Sequence, residues 1–313
     1  MRSMKKPGFL PIAMLLGAML SVQGGAALAI RLFEKVGPTA VVMLRLCLAA
    51  IVLIAVFRPK VTSLRGGRLL PVLALGISLA AMNWLFYESI SRIPLGTSVT
   101  IEFLGPIVLA IATSRHVADV AWVLLAATGV LLLSGTNGWT LGLGGIFAVA
   151  AGACWAVYIL ATQRVGRLYA DARGLALSMS VAGLAVIPSG LTTAGPGLTS
   201  MAVLGIGALV ALLSSVIPYT LEMRALRLIS ARFYAVFYSL EPAVAALVGA
   251  VFLGQSVNAR EAFAICCVAT ASVGVSLELR KTPVVGPEHI QINVASSLTN
   301  LDGGSDDDQR VSR

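Results

Sequence analysis

Charge all but vanishes from this sequence for about twenty residues at a time, and that pattern leaves few folds open to it. Apolar runs span 9–29, 38–57, 69–91, 94–114, 118–135, 141–163, 174–192, 199–221, 232–253 and 259–279. Each is about the length a helix needs to cross a hydrocarbon core roughly 30 Å thick. Transmembrane strands would show alternating segments of about ten residues, and none occurs. Hydrophobic residues make up 58% and charged residues 12%, with a mean hydropathy of +0.90. A soluble domain carries about 25% charged residues, so this chain cannot coat a water-facing surface. The expectation is an all-α integral membrane protein with ten transmembrane helices. The third and fourth runs almost touch at Ser91–Pro94, which predicts a tight hairpin there.

Lysines and arginines give the orientation. With the N-terminus inside, the inner joints hold Arg2, Lys5, Lys6, Arg58, Lys60, Arg65, Arg68, Arg115, Arg164, Arg167, Arg173, Arg224, Arg227, Arg232, Arg280 and Lys281. The outer joints hold Arg31, Lys35, Arg92 and Arg260. Cytoplasmic loops are the ones enriched in Lys and Arg, so both termini are expected in the cytoplasm. The net charge of +9 is thereby accounted for by topology, and no nucleic-acid partner is implied. Lys5 and Lys6 before an apolar run, followed by Ala27-Leu28-Ala29, resemble a signal peptide. The run is longer than a typical signal core and Gln23-Gly24-Gly25 interrupts it, so it reads as a retained helix. Cys47, Cys154, Cys266 and Cys267 all fall within apolar runs and suggest packing residues, not disulfides. Residues 282–313, ending near Asp306-Asp307-Asp308, read as a disordered cytoplasmic tail.

Two glutamate–proline neighbourhoods suggest a duplication. Matching Pro106 of Ile101-Glu102-Phe103-Leu104-Gly105-Pro106 with Pro242 of Ser239-Leu240-Glu241-Pro242 sets an offset of 136 residues. That offset pairs the third run with the eighth and the fourth with the ninth. It implies a first five-helix repeat over 1–136 and a second, inverted one over 137–281, because an odd number of spans reverses the entry direction. Inverted repeats commonly place a substrate site near the midplane. Each proline also lacks the N–H that would bond the carbonyl four residues back, so the carbonyls of Glu102 and Tyr238 are expected to be free.

Polar residues at membrane depth are the candidate site. A charged side chain at the bilayer centre costs about 2.5–3.5 kcal/mol and usually faces a cavity or a partner. Glu102 and Glu241 each lie roughly 12–14 Å into their runs, and Arg45 lies at a depth that would let it pair with Glu102. Glu241 has no basic residue at matching depth and is the candidate proton-coupling group. Glu88 and Glu222 sit nearer run ends, where solvated positions are expected. Gln23, Asn83, Tyr87, Trp155, Tyr158 and Tyr219 could line a polar-aromatic cavity. Enzyme signatures are missing: the two histidines, His116 and His289, lie at a run end and in the tail, and there is no H-E-x-x-H and no phosphate-binding loop. No metal and no cofactor is implied.

Several ordered motifs carry a family resemblance: Ser21-Val22-Gln23-Gly24-Gly25, Asn83-Trp84-Leu85-Phe86-Tyr87, Glu102-Phe103-Leu104-Gly105-Pro106, Ala153-Cys154-Trp155-Ala156-Val157-Tyr158, Pro218-Tyr219-Thr220-Leu221-Glu222-Met223 and Glu241-Pro242-Ala243. Across about 9–280 the chain resembles the EamA-type branch of the drug/metabolite transporter superfamily and, within it, bacterial threonine/homoserine exporters. One departure is Gln255, where many members carry an acidic residue. The resemblance implies ten helices in two inverted five-helix repeats. It also implies export of small amino acids across the bacterial inner membrane, driven by the proton gradient. Glu102, Glu241 and Arg45 would then meet substrate or proton. A multidrug exporter is the alternative within the superfamily. A membrane-embedded enzyme would need a nucleophile–base or metal set at one depth, which the sequence lacks. The partners expected are a small amino acid and the lipid bilayer, with a homo-oligomer left open.

Overall fold

Helices follow the apolar runs, with breaks where prolines and serines interrupt them. A computed structural model describes residues 9–59, 67–112, 118–133, 142–169, 172–194, 196–226, 228, 234 and 237–278; His116, His289 and the expected tail over 282–313 lie outside these. The helices are α1 (Phe9–Val36), α2 (Pro38–Phe57), α3 (Leu69–Ile90), α4 (Leu95–Glu102), α5 (Leu104–Ala112) and α6 (Ala118–Leu133). They continue with α7 (Gly142–Leu168), α8 (Arg173–Thr193), α9 (Met201–Ala211), α10 (Ile217–Leu226), α11 (Glu241–Leu253) and α12 (Ala259–Glu278). A π-helical turn, Leu212–Val216, joins α9 to α10. Among the described residues there are helices and turns and no strand.

Five of these, α1, α2, α3, α7 and α8, are long and apolar enough to cross a membrane by length and composition. The remaining runs are shorter or segmented. The fourth run is not the single helix expected but two, broken at Phe103. The ninth begins its described regular helix only at Glu241, after a turn at Ser239–Leu240. α1 continues past its expected end at residue 29 to Val36. Gly37 stops it with φ +78°, a conformation that costs a residue without Cβ nothing. Pro38, with φ already set for a helix, then starts α2.

The packing suits an apolar solvent. Leu70, Leu131 and Leu184 are 75%, 71% and 68% exposed, and Phe9, Val251 and Phe263 also face outward. A soluble protein rarely tolerates so much exposed apolar surface. Small residues occupy the helix contacts instead, as is usual between membrane helices. Gly96 of α4 lies so close to Ala246 of α11 that a Cβ would come within 2.7 Å of its backbone.

Helix pairing is regular. α1 packs on α9, α10 and α11, while α7 packs on α3, α4 and α5. α8 contacts α2 and α3, α9 contacts α2, and α4 contacts α11. Gly129 of α6 sits against Ala264 of α12. These contacts surround one central cavity.

Candidate functional site

Three prolines sit beside residues that line the cavity wall. Pro106 cannot bond the Glu102 carbonyl, and Thr100 Oγ1 already bends the segment by bonding the Gly96 carbonyl at 2.6 Å. α4 therefore ends at Glu102 and a new helix starts at Leu104. The freed carbonyl lies against Gly152 of α7, where a Cβ would come within 2.5 Å of it. Gly105 and Gly152 approach so closely that a side chain on either would collide with the other's backbone or with Glu102.

In the ninth run, Pro242 lies in the first turn of a helix. A turn precedes it, Leu240 precedes the first helical residue, and Glu241 occupies the first position of α11. Proline is favoured at that point because its missing N–H would be unpaired anyway. Pro218, in the same way, cannot bond the Ser214 carbonyl. The backbone widens there into the π turn, and Arg45 NH2 takes the free carbonyl at 3.0 Å.

The resulting cavity has a volume of about 200 Å³. Of the residues singled out in the sequence, Gln23, Arg45, Asn83, Glu102, Trp155, Tyr158 and Glu241 line it. Tyr87 does not. It is fully buried behind Arg45, whose NH1 donates to the Tyr87 hydroxyl at 3.3 Å and whose guanidinium lies 5.5 Å from its ring centre. Tyr219 lies in α10, and its side chain is outside the described set.

Arg45 and Glu102 do not form the expected ion pair. The Arg45 guanidinium is held by Tyr87 and the Ser214 carbonyl instead, and the ion pair among the described residues is Arg92–Glu88 at 2.6 Å. Thr39 Oγ1 also donates to Glu88, at 2.9 Å, so Glu88 is a packed structural group. The Glu102 carboxylate faces the cavity with no hydrogen-bond or ion-pair partner among the described residues. Gln23 Nε2 donates to Glu241 Oε1 at 3.1 Å and anchors that carboxylate to α1.

Sequence reasoning missed a third carboxylate. Glu222, expected in solvent near a run end, lines the cavity and accepts from the hydroxyls of Tyr234, at 3.1 Å, and Tyr238. The two tyrosine rings stack with centroids 4.6 Å apart. The spacing of Tyr234 and Tyr238, one helical turn apart, was the available signal. Ser214 was also missed. Its carbonyl could have been found by counting four residues back from Pro218. The opposite wall is aromatic, with Phe103 edge-on to Trp155 at 5.0 Å.

The lining therefore sets three carboxylates, Glu102, Glu222 and Glu241, against the one guanidinium of Arg45. Such a site is acid-rich, and opposite charges attract, so it favours a cationic group on whatever enters.

Comparisons with known proteins agree with a transporter. The EamA-like transporter family matches residues 142–277. The chain is 42% identical to the threonine/homoserine exporter RhtA of Salmonella typhimurium LT2 over 284 residues, covering 90% of this chain and 96% of that protein. It is 42% identical to RhtA of Escherichia coli K12 over 280 residues, covering 88% and 95%. A solved crystal structure shares the fold with a TM-score of 0.60 at 17% identity, covering 87% of this chain and 99% of that one. The relatives are exporters spanning nearly the same length, and their likeness runs through both halves of the helical body. The chain is thus a membrane transporter of small molecules, not an enzyme, and belongs to the EamA-like transporter family.

Proposed function

We propose that this protein is a secondary exporter of small amino acids of the threonine and homoserine type, working by alternating access across the bacterial inner membrane and coupled to protons. The observation that carries this reading is the cavity itself: three carboxylates facing one guanidinium, beside two half-helix ends. A zwitterion needs both signs, and its ammonium finds an unpartnered carboxylate in Glu102. A volume of about 200 Å³ suits a small metabolite. It is below the roughly 300–1,000 Å³ of drug-sized sites, which argues against the multidrug alternative. The names of the RhtA relatives supply the substrate class.

Helix pairing supports ten spans in two inverted five-helix repeats, 1–136 and 137–281, and the Lys and Arg distribution supports both termini in the cytoplasm. An exchange of halves turns the first–eighth contact into the sixth–third, the first–ninth into the sixth–fourth, and the second–eighth into the seventh–third. The second–seventh, fourth–ninth and fifth–tenth contacts map onto themselves. Members of every one of these pairs touch. Two arrangements of nearly equal energy are what such a duplication offers, and alternating access uses them. A proton and a substrate ammonium competing for Glu102 would couple the two flows. Glu241, anchored by Gln23, would keep the opposite helix in register.

The test is efflux of radiolabelled threonine and homoserine from cells expressing wild type, Glu102→Gln or Glu241→Gln at matched membrane levels. Wild type should export both, and an uncoupler should stop it. Glu102→Gln should lose about 10- to 100-fold, the range expected for losing a charge-assisted hydrogen bond. Glu241→Gln should lose less. Wild type that moves neither amino acid overturns the substrate, and normal export by both variants overturns the carboxylate site.

A further inference from the structure

We propose that Ser214, on the π turn, together with the Nε of Arg45, binds the carboxylate of the transported amino acid; this rests on the export reading above. Both atoms are buried hydrogen-bonding groups with no partner among the described residues. Ser214 is 4% exposed and Arg45 is 9% exposed, and both line the cavity. Buried polar groups are paired in the great majority of cases, so two unpaired ones on one wall call for an explanation.

The two residues that carry the orphans are joined by a hydrogen bond. Arg45 NH2 bonds the Ser214 carbonyl at 3.0 Å and NH1 bonds the Tyr87 hydroxyl at 3.3 Å. Both terminal nitrogens of the guanidinium are thereby engaged, and Nε has no partner among the described residues. Ser214 belongs to a π turn, a geometry often found at functional sites. That turn is itself held to α1, where Ser21 Oγ donates to the Leu213 carbonyl at 2.7 Å.

The hydroxyl's position is tightly set. A Cβ on Gly25 of α1 would collide with Ser214 Oγ, so only glycine leaves the hydroxyl where it is. One N–H donor and one O–H donor, carried by two residues that line the same cavity, match a group with two acceptor oxygens. A carboxylate has them, an ammonium has none, and an aliphatic chain has none. The cationic edge adds charge, and charge-assisted hydrogen bonds are about twice as strong as neutral ones. The substrate would then lie between this wall and Glu102, with its two charges answered from opposite sides.

The test uses purified full-length protein in proteoliposomes. It measures competition against radiolabelled threonine efflux by unlabelled threonine and by threoninamide, in which an uncharged amide replaces the carboxylate. In wild type, threonine should compete about tenfold better than threoninamide. Ser214→Ala should raise the threonine KM about tenfold, more than it lowers kcat, and leave threoninamide competition unchanged. Because the hydroxyl has no partner among the described residues, Ser214→Ala should not lower the melting temperature, which separates a binding role from a structural one. Gly25→Ala, which keeps the hydroxyl but displaces it, should shift threonine competition in the same direction. Equal weakening of threonine and threoninamide by Ser214→Ala overturns the carboxylate subsite while leaving amino-acid export standing. So does an unchanged threonine KM. Wild-type protein that does not move threonine overturns the export reading and this inference with it.

Discussion

The fourth and ninth apolar runs are both interrupted beside a proline, yet they present their glutamates from opposite sides of the break. Glu102 is the last residue of α4, and Glu241 is the first residue of α11. Backbone dipoles make a helix N-terminus favourable to negative charge and a C-terminus unfavourable, by about 0.3–1 kcal/mol each. Glu241 also holds Gln23, whereas Glu102 holds nothing among the described residues. One carboxylate is thus supported by its own helix and a neighbour, and the other is left exposed to the cavity. Two breaks of the same kind can therefore carry unequal sites: one yields an anchored group and the other an available group.

The two breaks also differ in what lies behind them, and the largest expected stability effect tests that difference. The Glu102 carbonyl packs on Gly152, where an added Cβ would come within 2.5 Å of it. Gly152→Ala should destabilise the purified protein by about 1–3 kcal/mol, the usual cost of overpacking. It should also reduce transport, because relief of the clash must move the residue that carries the carboxylate. A thermal unfolding series in detergent, set beside Ala substitution at Gly24, where an added Cβ meets nothing within 4 Å, would measure it. Equal melting temperatures for the two variants would show that the fourth-run break does not depend on its contact with α7.

A smaller effect tests the anchored side. Gln23 and Glu241 share one buried hydrogen bond at 3.1 Å. In a double-mutant cycle, Gln23→Leu and Glu241→Ala should each destabilise the protein. Their coupling energy should be about 0.5–1.5 kcal/mol, as for one buried hydrogen bond. The same cycle between Gln23 and Glu102 should give a coupling near zero. Coupling of similar size in both cycles would remove the distinction between an anchored and an available carboxylate.

Much of the helical body was legible in the sequence, because solvent composition dictates it. Apolar runs of about twenty residues, a chain with 12% charge and a hairpin at Ser91–Pro94 leave little choice. Two of the cavity carboxylates were legible for the same reason, since Glu102 and Glu241 stand alone in apolar stretches of the sequence. Pairings across the cavity were less so. Depth along a run places Arg45 level with Glu102, but depth says nothing about the direction a side chain takes around its helix. Pro218 settles the matter by freeing the Ser214 carbonyl, and Arg45 turns to it. Glu222 was misplaced because distance from a run's end was read as nearness to water. In the structure, Tyr234 and Tyr238 hold it over the cavity. Tyr87 fell on the correct helix but behind the wall, as the packing partner of Arg45 and Phe33.

The smallest expected effect separates the roles of the two prolines. Pro242 occupies a helix start, where its fixed φ mainly limits the unfolded chain, so Pro242→Ala should cost about 0.4–1 kcal/mol and leave transport close to wild type. Pro106 sits just past a break. Pro106→Ala would restore an N–H able to reach the Glu102 carbonyl and carry the helix through Phe103, drawing that carbonyl away from Gly152. Its effect should therefore fall on function more than on stability, as a raised threonine KM with little change in melting temperature. If Pro242→Ala shifts the KM and Pro106→Ala does not, the roles of the two breaks are reversed. Glu241, despite its anchor, would then be the carboxylate that meets the substrate.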